Sequence, residues 1–232
     1  MKYHKISQGY FISRPNRFIA NVILDGKEEV CHVKNTGRCK ELLIEGAIVF
    51  LEESDNPNRK TKYDLIAIYK GDKLINMDSQ APNKAVQEYL PQLFQNLVLI
   101  RPETKYKNSR FDFYVETEQD KIFIEVKGVT LEENGVVRFP DAPTTRGLKH
   151  IQELVTCKKE GYHTYVIFVV QMEKVSYFEP NVEAQPEFAR ELYFAKEAGV
   201  EILCFNCKVS PDSLSIYQQV PCKIESPNLY ET

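Results

Sequence analysis

The stretch Lys121-Ile-Phe-Ile-Glu-Val-Lys-Gly128 is the most informative part of this sequence for the fold. Apolar and polar side chains alternate along it, and successive side chains of a β-strand point to opposite faces of the sheet. One face carries Ile122, Ile124 and Val126. The other face carries Glu125 and Lys127, which lie about 7 Å apart along the strand. The run predicts a central strand that carries charged groups where they are costly unless they are used.

A second predicted strand, Ser109-Arg-Phe-Asp-Phe-Tyr-Val115, precedes the first by one turn. We expect Phe111, Phe113 and Val115 to share one face of it and Asp112 to lie on the other. If the two strands pair, the acids of both strands can lie side by side. Two carboxylates bind a hard cation such as Mg²⁺, and a nearby lysine can orient a water and neutralise a phosphate. The two strands therefore predict metal-assisted hydrolysis of a phosphodiester.

The Glu-x-Lys spacing alone is a weak motif, because roughly two matches are expected by chance in a chain of this composition. A second match is Glu103-Thr-Lys105. Taken alone, Glu125 and Lys127 are more typical of a salt bridge in a sheet. The preceding strand with Asp112 is what favours a functional site.

The segment from Phe139 to Leu154, FPDAPTTRGLKHIQEL, predicts a loop followed by a helix with Thr144 or Thr145 as its N-cap. Helical periodicity places three apolar residues on one side: Leu148, Ile151 and Val155. The opposite side carries four polar residues: Arg146, Lys149, His150 and Glu153. Such a face is often merely solvated, and a plain surface histidine is one reading of His150. The functional interpretation is a cationic face over the carboxylates that holds phosphates by charge.

Basic residues also gather just before the predicted acidic cluster. They are Arg101, Lys105, Lys107 and Arg110, with Glu103 among them. Such a local patch is a candidate phosphate track. In the first half, Lys34, Arg38 and Lys40 flank predicted turns, where they would either line a binding face or only solubilise the protein.

Residues 1–80 predict several short strands separated by turns, which is typical of a small β-barrel, and an OB-type barrel is a candidate. From residue 81 onward, predicted helices alternate with strands, and the continuous apolar run over 164–172 suits a buried central strand. We therefore predict an α+β protein of two domains, residues 1–80 and 81–232, with a mixed sheet in the second.

The 232 residues have an ordinary globular composition and a net charge of -3. A protein that merely coats nucleic acid is usually strongly basic, so any nucleic-acid binding must use a local patch. No apolar run approaches the roughly 18 residues that span a bilayer, and no signal-peptide core follows the start. We expect a cytoplasmic protein with reduced cysteines and without a membrane partner.

The motifs together resemble the sugar fermentation stimulation protein A family. Arg110-Phe-Asp-Phe113, Ile124-Glu-Val-Lys-Gly-Val-Thr-Leu131 and the segment 139–154 carry the resemblance. In the first half, similar segments are Asn16-Arg-Phe18, His32-Val-Lys-Asn-Thr-Gly37 and Asp55-Asn56. The resemblance runs from about residue 10 to residue 205.

This resemblance implies an OB-like barrel joined to a restriction-endonuclease-like domain, and DNA binding mainly without sequence preference. It also implies a nuclease core of the D…(D/E)-x-K type, in which Asp112, Glu125 and Lys127 are the catalytic set. Such cores often add a helical glutamate as a metal ligand, for which Glu88 is the first candidate and Glu103 the rival. Further positions of the family motif are Asp141, Thr144, Arg146, Lys149, His150 and Glu153.

Two functions remain open from the sequence. The first is a DNA-binding protein with a nuclease core that uses Mg²⁺ or Mn²⁺. The second is a regulator of sugar metabolism that keeps the nuclease fold only to bind DNA. The complete acid set favours the first, because two desolvated carboxylates repel each other unless a cation offsets them. Single-stranded and branched DNA are both candidate substrates, RNA stays open, and a homodimer is compatible with the sequence.

Overall fold

The computed structural model of the chain describes residues 1–35 and 37–226. Thr36 of the family segment quoted above and residues 227–232, at the end of the predicted second domain, lie outside the described residues. Within these ranges no helix has the length and apolar character needed to cross a membrane.

The first half of the chain forms a closed barrel. Its strands are β1 (Ile6–Asn16), β2 (Ile19–Leu24), β3 (Lys27–Val33), β4 (Ile48–Glu53), β5 (Tyr63–Lys70) and β6 (Lys73–Asn76). They lie in the order β3-β2-β1-β4-β5-β6, and β3 also pairs in parallel with β5, which closes five strands into a barrel. Asp25 and Gly26 form the tight turn between β2 and β3 with φ of 50° and 77°, conformations that glycine and aspartate tolerate.

The second half is built on a six-stranded mixed sheet. Its elements in chain order are α1 (Ala81–Leu93), β7 (Leu97–Tyr106), β8 (Ser109–Thr117), β9 (Lys121–Val129), β10 (Leu131–Glu133), β11 (Val136–Phe139), α2 (Thr145–Lys159), β12 (His163–Val170), β13 (Tyr177–Pro180), α3 (Pro186–Glu197), β14 (Glu201–Ser210) and β15 (Ser213–Gln219). The main sheet has the order β15-β14-β12-β9-β8-β7, with β9, β12 and β14 parallel. A smaller sheet joins β10, β11 and β13.

The predicted central strand β9 separates two hydrophobic cores. Ile122 and Ile124 pack with buried residues of α1, such as Leu90, on one face of the sheet. Phe123 belongs to the other core, which contains Leu154 of α2 and residues of α3. The period-two alternation of the sequence therefore matches the two faces of this strand.

The two halves of the chain contact each other through buried polar groups. Lys70 and Lys73 of the barrel both bind the carboxylate of Glu132, at 3.1 and 2.8 Å. The Gln171 side chain donates from Nε2 to the backbone oxygens of Asn76 and Asp78, at 3.1 and 3.0 Å. These contacts fix the barrel beside the end of the main sheet where β9 and β12 finish.

Candidate active site on strands β8 and β9

The structure brings Asp112 and Glu125 together on neighbouring strands. In the antiparallel pair of β8 and β9, Phe113 lies opposite Ile124, and the next position along the two strands holds the two acids. The ladder does not continue there, because Asp112 Oδ2 accepts the N–H of Val126 at 2.7 Å. An aspartate side chain thus takes the place of a backbone partner at the point where β8 separates from β9.

Because β8 separates from β9 at Asp112, apolar side chains of β8 before and after Asp112 lie on different faces of the sheet. Phe111 belongs to the core under α2, whereas Phe113 and Val115 belong to the core under α1. The expectation that all three share one apolar face is therefore wrong. The alternation breaks at Asp112, because its side chain bonds to the backbone of the neighbouring strand.

The Asp112 carboxylate is held in a partly desolvated setting. Asn83, in the first turn of α1, donates from Nδ2 to Asp112 Oδ1 at 2.7 Å. Burial and the nearby charge of Glu125 raise the pKa of Asp112 to about 6, although the two hydrogen bonds oppose that change. Ionised Asp112 is therefore a charge that a bound cation would stabilise.

Glu125 is almost completely buried, with 3% of its surface exposed. Burial raises the pKa of Glu125, but hydrogen bonds and charge from His150 and Lys127 outweigh burial, so the pKa is lowered overall. Lys127 donates to Oε1 at 2.6 Å, and His150 Nδ1 bonds to the same oxygen. The other oxygen, Oε2, is buried and has no hydrogen-bond partner among the residues that the structure describes.

His150 lies in this acidic site and not on an open cationic face. Only 5% of its surface is exposed, and its second ring nitrogen is 3.5 Å from Nε of Arg146. Helix α2 buries a different stripe from the predicted one: Gly147, His150, Ile151, Leu154 and Cys157. Leu148 and Val155 are only partly buried. The predicted faces are corrected accordingly, because Glu125 gives a buried histidine its partner.

The residues of the site fit a divalent cation of the hard, oxygen-preferring class. The orphaned Glu125 Oε2 and the Asp112 carboxylate offer anionic oxygens on adjacent strands. Mg²⁺ is commonly held by only one or two protein carboxylates, with waters and substrate phosphate filling the other positions. Asp112 and Glu125 are the residues that would hold it.

Among the residues that the structure describes, no third acid joins the pair. Glu88 of α1 binds the amino group of Met1 at 2.6 Å, and Glu103 lies on strand β7, where it pairs with Arg110 at 2.8 Å. Within the described ranges, no group of three or more acidic, histidine or cysteine side chains is arranged to hold a metal ion. On α1, the residue that reaches the acids is Asn83, which the sequence did not single out because a polar residue in a first helical turn is ordinary.

A basic groove leads away from His150. It has a volume of about 430 Å³ and is lined by Asn108, Ser109, Arg110, Thr145, Arg146, Lys149 and His150. Lys149 donates to the backbone oxygen of Asn108 at 2.9 Å and lies 3.8 Å from Glu153. The predicted basic residues Arg110, Arg146 and Lys149 thus come together beside the acids.

The remaining predicted positions are more dispersed. Lys105 is exposed and lies opposite Arg110 in the pairing of β7 with β8, whereas Lys107 pairs with Glu160. Lys40 is exposed on the barrel side. The backbone N–H of Arg38 donates to Asp141 at 3.2 Å and so connects the barrel to the loop before α2.

The start of α2 follows the sequence prediction. Thr144 is the N-cap, and its hydroxyl accepts the N–H of Gly147 at 2.9 Å. This cap fixes the first turn of the helix that carries Arg146 and His150.

Comparison with known proteins identifies the same two parts. A family model described as the SfsA N-terminal OB domain matches residues 12–77, and one described as the sugar fermentation stimulation protein RE domain matches residues 80–213. These matches, together with the barrel and the mixed sheet, confirm the predicted OB-like barrel and restriction-endonuclease-like domain.

Two relatives and one solved structure extend this similarity over nearly the whole chain. Sugar fermentation stimulation protein homologs from Clostridium beijerinckii and Ruminiclostridium cellulolyticum are 62% and 56% identical, covering 95% and 97% of this chain and 98% and 100% of their own lengths. The structure of Pyrococcus furiosus SfsA in complex with Ca²⁺ matches with a TM-score of 0.86 at 28% identity, covering 97% of this chain and 98% of the other.

Proposed function

Because this chain belongs to the sugar fermentation stimulation protein family, we propose that it binds DNA and hydrolyses its phosphodiester bonds with a divalent cation. Asp112 and Glu125 would hold the cation. The observation that carries this proposal is the unpartnered, buried Oε2 of Glu125 beside a second carboxylate. A buried anionic oxygen without a donor is costly, and a bound cation would remove that cost.

Each protein group has a role that follows from its position. When bound, the divalent ion supplies Lewis-acid stabilisation of charge on a phosphoryl oxygen. Lys127, only 13% exposed and bonded to Glu125, would keep positive charge beside the scissile phosphate and orient the attacking water. His150 would hold Glu125 in place from helix α2, and Asn83 would hold Asp112 in place from helix α1.

The basic groove would guide the DNA. Arg146 and Lys149 line it together with Arg110, and its inner end reaches His150. Contacts of this kind neutralise backbone phosphates and carry little sequence information. We therefore propose largely sequence-nonspecific binding, with a single-stranded or branched substrate as the first forms to test.

The proposed identity of the cation rests partly on the similar solved structure. The structure of Pyrococcus furiosus SfsA is described as a complex with Ca²⁺. For this chain we propose Mg²⁺ or Mn²⁺ as the ion that supports cleavage, since both prefer oxygen ligands. A role in sugar regulation, a cytoplasmic location, a homodimer and the boundary of the two domains at residue 80 stay predictions from the sequence.

A second candidate is a DNA-binding regulator that does not cleave. The observation that favours it is the lack of a third acidic ligand among the described residues, because Glu88 and Glu103 are engaged elsewhere. A site with two carboxylates and a lysine would then serve only to attach a cation and a phosphate.

The test is incubation with labelled single-stranded, duplex and branched DNA in Mg²⁺, Mn²⁺ or EDTA. We expect metal-dependent cleavage that Asp112→Ala and Lys127→Ala both abolish while circular dichroism shows a folded protein. Glu88→Gln is the matched acidic control and should cleave like the unaltered protein. Binding without cleavage on every substrate would exclude the nuclease and leave the regulator.

A further inference from the structure

A second cavity, of about 190 Å³, lies where the barrel meets the second domain. One wall includes Gly128 and Val129 of β9, which directly follow Lys127 in the chain. The barrel supplies another wall through Asn35 and Gly37. Gly128 is the next residue after Lys127, so the cavity begins beside the strand end that carries the proposed site.

The barrel wall of this cavity is held in place by Arg14. Its guanidinium group donates to the backbone oxygens of four residues: Arg17, Asn35, Gly37 and Arg38. Gly37 lets the Asp141 side chain approach closely, since a Cβ at position 37 would lie 2.7 Å from Oδ2 of Asp141. The protein itself therefore holds the backbone oxygens of these four residues without a ligand.

Hydrogen-bond acceptors are available in the cavity. Gln171 is 1% exposed, and its Nε2 is fully used by Asn76 and Asp78. Its Oε1 has no hydrogen-bond partner within residues 1–35 and 37–226, and it lies over Gly128, where a Cβ would be 2.6 Å away. Asp141 adds a carboxylate: its Oδ2 accepts the N–H of Arg38, and its Oδ1 has no hydrogen-bond partner in the part of the chain that the structure describes. Such acceptors suit the amino hydrogens on the edge of a nucleobase.

We propose that this cavity receives one unstacked nucleobase of the DNA strand whose phosphate lies at Asp112 and Glu125. The inference rests on the proposed function and narrows its substrate. A base can enter only from a single strand, a strand end or a disrupted duplex, because a paired base is stacked and its edge is occupied. Adenine, cytosine and guanine carry amino hydrogens, and thymine carries no amino group, so the cavity favours the first three.

The test is fluorescence anisotropy in Ca²⁺ with a labelled single-stranded adenine oligonucleotide, shortened until the loss of one more residue abolishes binding, so that only one binding register is left. Each adenine in turn is replaced by an abasic residue or by thymine. We expect one position at which the abasic residue lowers affinity about tenfold, which is the usual value of contacts to one base. Thymine at that position should also weaken binding, whereas the other positions should respond little. Uniform sensitivity, or none at any position, would overturn the proposal.

A variant whose new side chain fills the cavity tests the same site without depending on the sequence of the DNA. Ser79 is exposed at the cavity, so Ser79→Phe places a ring in it with little effect on the core. This variant should bind intact DNA about as weakly as the unaltered protein binds abasic DNA, and the abasic residue should cause no further loss. Ser215→Phe, on an exposed position of β15, is the matched control and should keep the full response. Additive losses in Ser79→Phe would contradict a shared site.

Parallel cleavage reactions in Mg²⁺ separate this inference from the proposed function. Position-sensitive binding without cleavage would support the base cavity and remove the nuclease. Cleavage without any position-sensitive binding would support the nuclease and remove the cavity.

Discussion

One carboxylate oxygen of Glu125 accepts two hydrogen bonds, and the two donors lie on different elements of the fold. Lys127 lies two residues away on the same strand, whereas His150 reaches Glu125 from helix α2. A strand residue moves with the sheet, but the histidine ties the carboxylate to a separate element. His150 is therefore a positioning residue for the proposed metal ligand.

We expect His150→Ala to slow cleavage about 10- to 100-fold, the usual range when an outer partner of a metal ligand is removed. DNA affinity should change much less, because the buried ring contributes little surface to the groove. Single-turnover cleavage and equilibrium binding, measured side by side, separate the two effects. His163→Ala is the control, since His163 is half exposed and pairs with Asp120 at the far end of β12. Equal losses of binding and cleavage would argue against positioning.

Helix α2 carries His150 to the site, and its N-cap is the part of the helix that the sequence predicts best. Thr144→Ala removes the acceptor of the Gly147 N–H and should lower the free energy of unfolding by about 1 kcal/mol. For a protein of this size the melting temperature should fall by about 2–4 °C. Calorimetry measures this, with Thr145→Ala, the exposed next residue, as a control that should shift the melting temperature less. Equal shifts in both variants would remove the capping assignment.

The cationic residues Arg146 and Lys149 lie on the same helix, α2, and line the basic groove. Arg146→Ala with Lys149→Ala should weaken binding by the same factor on unrelated DNA sequences. Each lost phosphate contact lowers the slope of log affinity against log salt, so the slope should decrease by roughly two. Lys158→Ala with Lys159→Ala removes the same charge from the last turn of the same helix and should leave the slope nearly unchanged. A slope unaffected by the first pair would place the DNA elsewhere.

The elements differ in how far the sequence determines them. Strand β9 follows from period-two alternation, and the start of α2 from its cap, because both depend on neighbours in the chain. The faces of β8 and α2 could not be predicted, because Asp112 bonds to Val126 and His150 to Glu125 across the fold. Periodicity alone predicts that a polar residue lies on an exposed face. Only a partner elsewhere in the fold shows that the polar residue is buried.

At the scale of the whole molecule, Glu132 joins the two domains. Burial raises the pKa of Glu132, but the Lys73 and Lys70 ammonium groups and the Gly135 N–H outweigh it and lower the pKa from 4.5 to about 2. A group whose pKa is depressed on folding stabilises the protein above its unfolded pKa, and this stabilisation is lost as the pH falls through the folded pKa. The contribution is therefore complete above about pH 5 and disappears toward pH 2.

Glu132→Gln should lower the free energy of unfolding at pH 7 by up to about 3 kcal/mol, because folding lowers the pKa of Glu132 to about 2 and that stabilisation is absent in the amide. The difference from the unaltered protein should close as the pH falls from about 4.5 to 2. Urea unfolding at several pH values measures this. Glu133→Gln changes the exposed neighbouring residue, so its difference should stay small at every pH. A gap that persists at pH 2 would show that the loss comes from packing and not from the carboxylate charge.

Strand β7 forms one outer edge of the main sheet, and its composition affects how copies of the protein meet. Pro102 has no N–H to offer a further strand, and Glu103 has a φ of 52°, which interrupts the extended backbone beside it. Arg101 and Lys105 are exposed on the same edge, so a second β7 would meet like charges. Growth of the sheet from one copy into the next is therefore disfavoured along β7. A homodimer should therefore not form by pairing one β7 with another, and fibrous aggregation should not start from this edge.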